Sequence, residues 1–378
     1  MRKVDTYELQ ILAVCKRYGK VDALIDATLG VRKGECMTLL GPSGSGKTTL
    51  LNLVAGLTYP DKGEIRISGR DATHLPPHER DIGVVFQNYA LFPHLTVFEN
   101  VAFGLRMRRM SSLEIRDKVN KVLDAVALSK MAQRMPTQLS GGQQQRIALA
   151  RAIVYEPSVI LMDEPLAALD KKLRQKLQLE IRRFQREFGI TMLYVTHDQE
   201  EALVLSDRIC LMNHARIEQI GTPDDLYFRP QSLFASEFIG ESNVFTAQVS
   251  CLVDGGFLAD GPCGSTLRIQ SSSSTSLGET VTMVVRPERI RIETLGLVTN
   301  SVNRLQAIVE EIAFLGDTIR YYARVNSSLV FSVKVLTGVM ASRACVGDAV
   351  TLEFNADSLI MLPKDSTLTS SAPHKDLV

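Results

Sequence analysis

Apolar positions over residues 1–238 follow two rhythms. Short runs such as "CMTLL" (36–40), "VILM" (159–162) and "ITMLYV" (190–195) are continuous and rich in branched side chains, the pattern of strands buried on both faces. Between them, apolar residues return every three or four positions. Ile115, Val119, Val122, Leu123 and Val126 follow a Ser111/Glu114 capping box and predict a helix. Leu173, Leu177, Ile181, Phe184 and Phe188 predict a second helix, opening near Asp170 and stopped by Gly189. Strands alternating with helices predict an α/β domain.

The texture then changes. "TVTMVV" (280–285), "TIRYYARV" (318–325), "LVFSVKVL" (329–336) and "AVTLEF" (349–354) are short candidate strands set between Gly-Asp and Ser-rich breaks. They predict a small antiparallel barrel or a pair of barrels. "SSSSTS" (271–276) reads as a loop tip, and residues 364–378 read as a disordered tail. A chain of 378 residues exceeds one typical core. The expected layout is therefore an N-terminal domain over 1–238, a β domain over 239–363 and the tail.

Charge narrows the function classes. Lys plus Arg number 43 against 42 for Asp plus Glu, so electrostatics makes no case for nucleic acid as a partner. No apolar run approaches the roughly 18–20 residues that span a bilayer, and "MRKVDTYELQ" lacks the apolar centre of a signal peptide. The six cysteines, Cys15, Cys36, Cys210, Cys251, Cys263 and Cys345, form no C-x-x-C pair. They are expected to be reduced, mostly buried thiols.

Candidate chemistry begins at "GPSGSGKTT", residues 41–49, which fits G-x-x-x-x-G-K-[ST] between a strand and a helix. Backbone N–H groups from Gly41, Pro42 to Gly46 (Ser43, Gly44 and Ser45 between them) and the helix start could surround phosphates, Pro42 lending only its shape. Lys47 would reach the β- and γ-phosphates, and Thr48, followed by Thr49, would ligate Mg²⁺. "VILMDEP" (159–165) places Asp163 and Glu164 at a strand end, where open α/β sheets bind ligands. Asp163 suits Mg²⁺, and Glu164 suits an attacking water. Alone, such a pair is equally the pattern of solvated carboxylates. His197 in "VTHDQ" and Gln87 in "VVFQN" follow apolar runs in the same way. His197 could contact the γ-phosphate or cap a helix, and Gln87 could complete a Mg²⁺ shell. Tyr18 could stack on adenine or simply pack.

A second glycine turn, "QLSGGQQQRIALARA" (138–152), offers Ser140 as a helix N-cap, with Gly141 and Gly142 leaving backbone exposed at the positive end of the helix. The phosphates already have a cradle at Lys47. The economical reading is a second copy of the chain, whose Ser140 turn closes over the first copy's nucleotide. A flexible turn heading a helix is the alternative.

These motifs in this order resemble the ATP-binding subunits of ABC transporters. The likeness covers residues 1 to about 240 through "GPSGSGKTT", "FQ" (86–87), "LSGGQ" (139–143), "LMDEP" (161–165) and "VTHDQEEA" (196–202). It implies a P-loop α/β domain with a helical subdomain, ATP and Mg²⁺ as cofactors, and a head-to-tail homodimer. By the same resemblance Tyr18 meets adenine, and Ser140 and Gly142, with Gly141 and Gln143 in the same turn, meet the partner's γ-phosphate. Glu164 and His197 would carry hydrolysis, while Gln87, Asp163 and Asp170 complete the site. "NYALFPHLTVFENVAFGL" (88–105), "GTPDDLYFRP" (221–230) and "RPERI" (286–290) are similar to cassettes of binding-protein-dependent importers. These end in an OB-like, transport-associated β domain. They imply two integral-membrane permease subunits, an extracytoplasmic solute-binding protein and a place on the cytoplasmic face of the cell membrane. "FIGESNVF" (238–245) resembles the join in spermidine/putrescine importers, with iron and sulfate importers as alternatives. One departure stands out: the family's usual "SALD" turn reads "AALD" here, so Ala167 has no hydroxyl to offer across a dimer.

Overall fold

The computed structural model describes residues 7–87, 89–167, 169–271, 275–294, 303–338 and 344–364. Most of the predicted tail and the centre of the serine loop lie outside them. The chain divides into two compact units, Met1–Pro223 and Asp224–Val378.

In the first unit, β1 (Tyr7–Tyr18) and β2 (Val21–Arg32) form an antiparallel hairpin. The buried β3 (Cys36–Leu40) then leads through the glycine loop into α1 (Lys47–Ala55). β4 (Lys62–Ile67) and β5 (Arg70–Asp71) complete a sheet of order β2-β1-β4-β5. After β6 (Ile82–Val85) come the helices α2 (Val97–Met107), α3 (Ser112–Ala125) and α4 (Gly141–Ile153). β7 (Val159–Asp163), α5 (Lys171–Phe188), β8 (Met192–Thr196), α6 (Gln199–Leu205), β9 (Arg208–Asn213) and β10 (Arg216–Gly221) follow.

The central sheet runs β10-β9-β3-β8-β7-β6. All its pairs are parallel except the edge pair β10/β9. Its strands read as continuous apolar runs because both faces are covered. Val159 and Leu161 enter a core with Leu50, Val54 and the β1–β2 hairpin, whereas Ile160 and Met162 enter a core with Ile147, Leu177 and the helices. The two predicted helices form. Ser111 and Glu114 make the reciprocal capping box, and Asp170 caps α5, which ends at Gly189 with φ 59°. Phe188 departs from the expected stripe: at the last position of α5 it is 44% exposed, with its ring centre 4.4 Å from that of Phe184.

The second unit starts with two short helices, α7 (Pro223–Phe228) and α8 (Leu233–Phe238). Then β11 (Asn243–Val253), β12 (Gly256–Asp260), β13 (Thr266–Gln270), β14 (Thr280–Val285), β15 (Arg291–Thr294), β16 (Asn303–Phe314), β17 (Thr318–Arg324), β18 (Val330–Leu336), β19 (Ala349–Phe354) and β20 (Leu359–Met361) build two five-stranded antiparallel sheets. Their orders are β13-β12-β11-β14-β20 and β15-β19-β16-β17-β18, and their inward residues share one core. Two buried asparagines stitch the sheets together. Asn303 exchanges both amide bonds with the Arg268 backbone, and Asn243 does the same with Ser332. A side-chain amide here takes the place of a strand neighbour for edge-strand groups that would otherwise be unpaired.

Arg286 of "RPERI" is buried and donates to the carbonyls of Tyr227, Ser236 and Glu241 and to Ser242 Oγ. Its guanidinium also lies 4.3 Å from the centre of the Tyr227 ring. This clasp binds the α7–α8 segment to the β sheets.

The six cysteines are free thiols, but the expectation that most are buried fails. Cys36 and Cys210 are buried, Cys15 is half-buried, and Cys251, Cys263 and Cys345 are exposed. Cys251 lies past Val249, where a register shift ends the inward–outward alternation of β11 and residues 250–252 are all exposed, and the other two sit in turns of the β unit.

Candidate active site

Parallel strands bring their C-terminal ends to one edge, and four of the sequence motifs lie there. The loop after β3 holds residues 41–46, β7 ends in Asp163, His197 follows β8, and Gln87 follows β6 by two residues. Glycine is required in the loop for steric reasons. A Cβ on Gly41 would lie 2.2 Å from the Met212 carbonyl oxygen, and one on Gly46, whose φ is 102°, would lie 2.6 Å from that of Ala23. Gly46 heads α1 with no side-chain cap and no acidic residue in the first turn, so no side chain of the first turn competes for the N–H groups of the helix start.

The loop's polar groups are incompletely matched, as an anion cradle requires. Lys47 Nζ donates to the Gly41 and Pro42 carbonyls at 2.8 Å each, leaving its remaining proton for a third acceptor. Burial lowers the Lys47 pKa, and Glu164 and Asp163 oppose that shift. Ser45 Oγ is buried without a hydrogen-bond partner. Asp163 is pushed upward, first by burial and then by the neighbouring Glu164 charge, with Lys47 pulling the other way. Buried charges of both signs with shifted pKa values mark this edge as a candidate ligand site.

Glu164 has a left-handed backbone, φ 43°, and its N–H donates to the Val195 carbonyl at 3.0 Å. One carboxylate oxygen lies 3.0 Å from His197 Nδ1. The imidazole is carried on a braced hinge. Thr196 Oγ1 and Tyr194 Oη both donate to the buried Glu201 carboxylate, at 2.7 and 3.0 Å, and Asp198 caps α6 while pairing with Arg174 at 2.7 Å. Sequence reading missed this brace, although Asp198 ahead of Glu200 and Glu201 is a helix-start signal. Thr48 and Gln87 are exposed and Thr49 half-buried at the same edge. Tyr18, at the end of β1, is 50% exposed, with Lys16 Nζ 5.4 Å from its ring centre.

The Ser140 turn is built differently. Ser140 Oγ accepts from Gln143 N–H at 3.4 Å, and Gln143 Oε1 accepts from Ser140 N–H at 3.0 Å. Gln143 thus closes a capping box, a pattern legible in "SGGQ" but not drawn from it. Gly141 is exposed as expected, whereas Gly142 is buried; a Cβ there would meet Leu173 at 3.5 Å. Asp170 Oδ1 likewise accepts from Leu173 N–H at 3.0 Å. Within one chain, no hydrogen bond or ion pair among the described residues joins 140–143 or Asp170 to residues 41–49.

Comparison with known proteins decides the family. Residues 24–167 match the ABC transporter family model and residues 283–362 match the TOBE domain. The spermidine/putrescine import ATP-binding protein PotA of Thermobifida fusca is 44% identical over 95% of this chain and 94% of its own length. PotA of Thermotoga maritima is 41% identical over 86% of this chain and 89% of its length. The chain belongs to the ABC transporter ATP-binding family. It is an ATP-binding transport ATPase of the kind that carries a C-terminal β domain. Among solved structures, cbiO1 from Clostridium perfringens, part of the ABC transporter complex cbiONQ, is 28% identical with a TM-score of 0.55, over 58% of this chain and 90% of that one. The bacterial ABC transporter cassette MJ0796, solved as a dimer, is 35% identical with a TM-score of 0.50, over 57% of this chain and 98% of that one.

The apolar stretch 91–103 divides into two parts. Leu91 and Phe98 pack against the helical core. Phe92 is half-buried with its ring centre 4.6 Å from that of Phe103, and Phe86, Phe103 and Met107 are exposed nearby in sequence. No helix among the described residues is long and apolar enough to cross a membrane.

Proposed function

We propose that this chain hydrolyses ATP to drive polyamine import through a binding-protein-dependent transporter. The observation that carries the ATPase half is the cluster of Lys47, Asp163, Glu164 and His197 at one sheet edge, with Glu164 and His197 3.0 Å apart. The relatives named spermidine/putrescine import ATP-binding proteins carry the substrate half. The first unit does the nucleotide chemistry, and the β sheets of the second form the transport-associated domain.

Residues 41–49 hold the phosphates through backbone N–H groups and Lys47. Thr48, Gln87 and Asp163 form an all-oxygen donor set that suits Mg²⁺, which when bound supplies charge for the phosphate oxygens. Glu164 takes a proton from, or orients, the attacking water, and His197 steadies that carboxylate and reaches toward the γ-phosphate. Tyr18 lies against the adenine. The Ser140–Gln143 turn of a second copy closes the site, and Asp170 lies at the same dimer seam.

Phe92 and Phe103 form an apolar surface for a short cytoplasmic helix of each permease subunit, which keeps the chain at the inner face of the membrane. Reconstitution tests this reading. ATP-dependent uptake of spermidine should appear with the cognate permease and solute-binding protein, and should be lost when Phe92 is made polar while the isolated chain stays folded. Uptake of iron or sulfate instead of polyamine would refute the substrate assignment alone.

A further inference from the structure

Gln87 is followed by an unusual piece of backbone. Tyr89 and Ala90, both with side chains, adopt consecutive left-handed conformations with φ 60° and 44°. A single guanidinium holds this pair. Arg151 donates from Nη1 to the Ala90 carbonyl at 2.7 Å and from Nη2 to the Tyr89 carbonyl at 2.9 Å, and lies 5.6 Å from the Phe92 ring centre. The fork needs a planar, five-donor head, which lysine lacks.

Arg151 belongs to the last turn of α4, and the same helix begins at the Ser140 turn. The Arg151 end of α4 is also where the helix is seated on the central sheet. Gly83 of β6 allows that approach, since a Cβ there would lie 2.5 Å from the Ala152 carbonyl oxygen. Tyr155 just beyond donates to the Ile82 carbonyl at 2.7 Å. The helix is therefore pinned near Ala152 and Tyr155, with Arg151 beside the pin. Ser140 lies roughly 16 Å away at about 1.5 Å of rise per residue.

We propose that Arg151 is a positioning residue that makes α4 a lever between the loop after Gln87 and the Ser140 turn. A small displacement of residues 89–92 acts close to the pivot through the two carbonyl bonds. It becomes a larger swing of the Ser140 end, which presents the turn to the partner's ATP. Movement of the turn onto nucleotide pulls back on the same loop, and so on Gln87 and Phe92. This inference rests on the transporter reading above, and it assigns the coupling to one side chain that neither binds ATP nor touches the permease.

The test compares ATP turnover of the isolated full chain with turnover in lipid nanodiscs with its permease, stimulated by spermidine-loaded binding protein. Arg151→Lys keeps the charge but loses the fork, so isolated turnover should stay within about twofold while stimulated turnover falls about tenfold or more. Adding Ala90→Gly should recover roughly threefold of the loss, because glycine takes the left-handed turn unaided. The same exchange at Arg109, φ 57°, lies outside the fork and should recover nothing. Merely lowered stability would not show this position-specific rescue. Hydrogen exchange on the unaltered chain serves if the Lys variant does not fold: assembly with the permease should slow the amides of 89–92 and 139–143 together. Normal stimulation of a folded Arg151→Lys chain, or slowing confined to 89–92, overturns the lever and leaves the ATPase reading standing. An unaltered chain that the permease never stimulates overturns both.

Discussion

At the start of α1 the backbone turns through Gly44 and Gly46, with φ 79° and 102°, no side chain caps the helix, and Ser45 Oγ is buried without a partner. At the start of α4, Ser140 and Gln143 cap each other, and Gly142 is covered by Leu173 and Leu177. Both helix ends present first-turn N–H groups, but only the second carries a side-chain cap. A helix end with unmet donors must hold its ligand or lose stability. A self-capped end can wait on the surface and engage late. That contrast is what the proposed shared site calls for: a standing cradle at the Lys47 loop, and a Ser140 turn that another copy would bring to it.

The largest effect expected from this contrast lies on the cradle side, where the chemistry is placed. A positioned general base contributes roughly 10²–10⁴ in rate, so Glu164→Gln should lower ATP turnover by about that range while ATP binding persists. Steady-state turnover and a nucleotide-binding titration on the same sample check both halves.

Next in size is a pair of glycine exchanges. Gly46→Ala puts a Cβ 2.6 Å from a backbone oxygen at φ 102°. Such strain costs about 1–3 kcal/mol, and the phosphate cradle goes with it. Gly142→Ala meets only the end of Leu173 at 3.5 Å. It should leave the isolated chain as stable or up to about 1 kcal/mol more so, since alanine favours a helix interior. Its damage should appear only in dimer closure. Denaturant melts beside ATP-trapping assays separate the two; equal destabilisation by both would erase the contrast.

A smaller effect is pH-dependent. The Asp163 carboxyl is held above its ordinary range, by burial first and by Glu164 second. The folded chain therefore keeps this proton to higher pH than the unfolded chain. The stabilisation is complete below the ordinary carboxyl range and is lost as pH rises through the raised value. Without nucleotide, Asp163→Asn should melt above the parent at neutral pH, with the gap closing as pH falls toward about 4. Calorimetry across that window tests it. Smallest is Ser140→Ala, which removes an N-cap acceptor worth about 1 kcal/mol to the isolated chain.

Legibility in the sequence tracked how local the cause is. The strand runs, the Lys47 loop, the Asp163–Glu164 pair and the α3 and α5 boundaries are written in adjacent residues, and each appears where its pattern places it. The Arg286 clasp, the Asn243 and Asn303 stitches and the Arg151 fork join residues far apart in the chain, and no local period announces them. Gly142 and Phe188 were misjudged for a related reason, since burial at a helix end depends on which neighbour arrives. Gln143 is the exception: its capping partner was three residues away.

The most direct test of two unlike turns serving one site is the composition of a mixed dimer. A Lys47→Ala chain lacks its own cradle but offers a sound Ser140 turn, and a Ser140→Arg chain has the reverse defect. Each homodimer then holds two damaged sites, while the mixed dimer joins one intact cradle to one intact turn. With Glu164→Gln in both chains to stop turnover, occluded ATP should approach one nucleotide per verified mixed dimer and be scarce in either homodimer. If each turn served its own chain, every site in the mixed dimer would be defective. No trapping in verified mixed dimers would contradict the account.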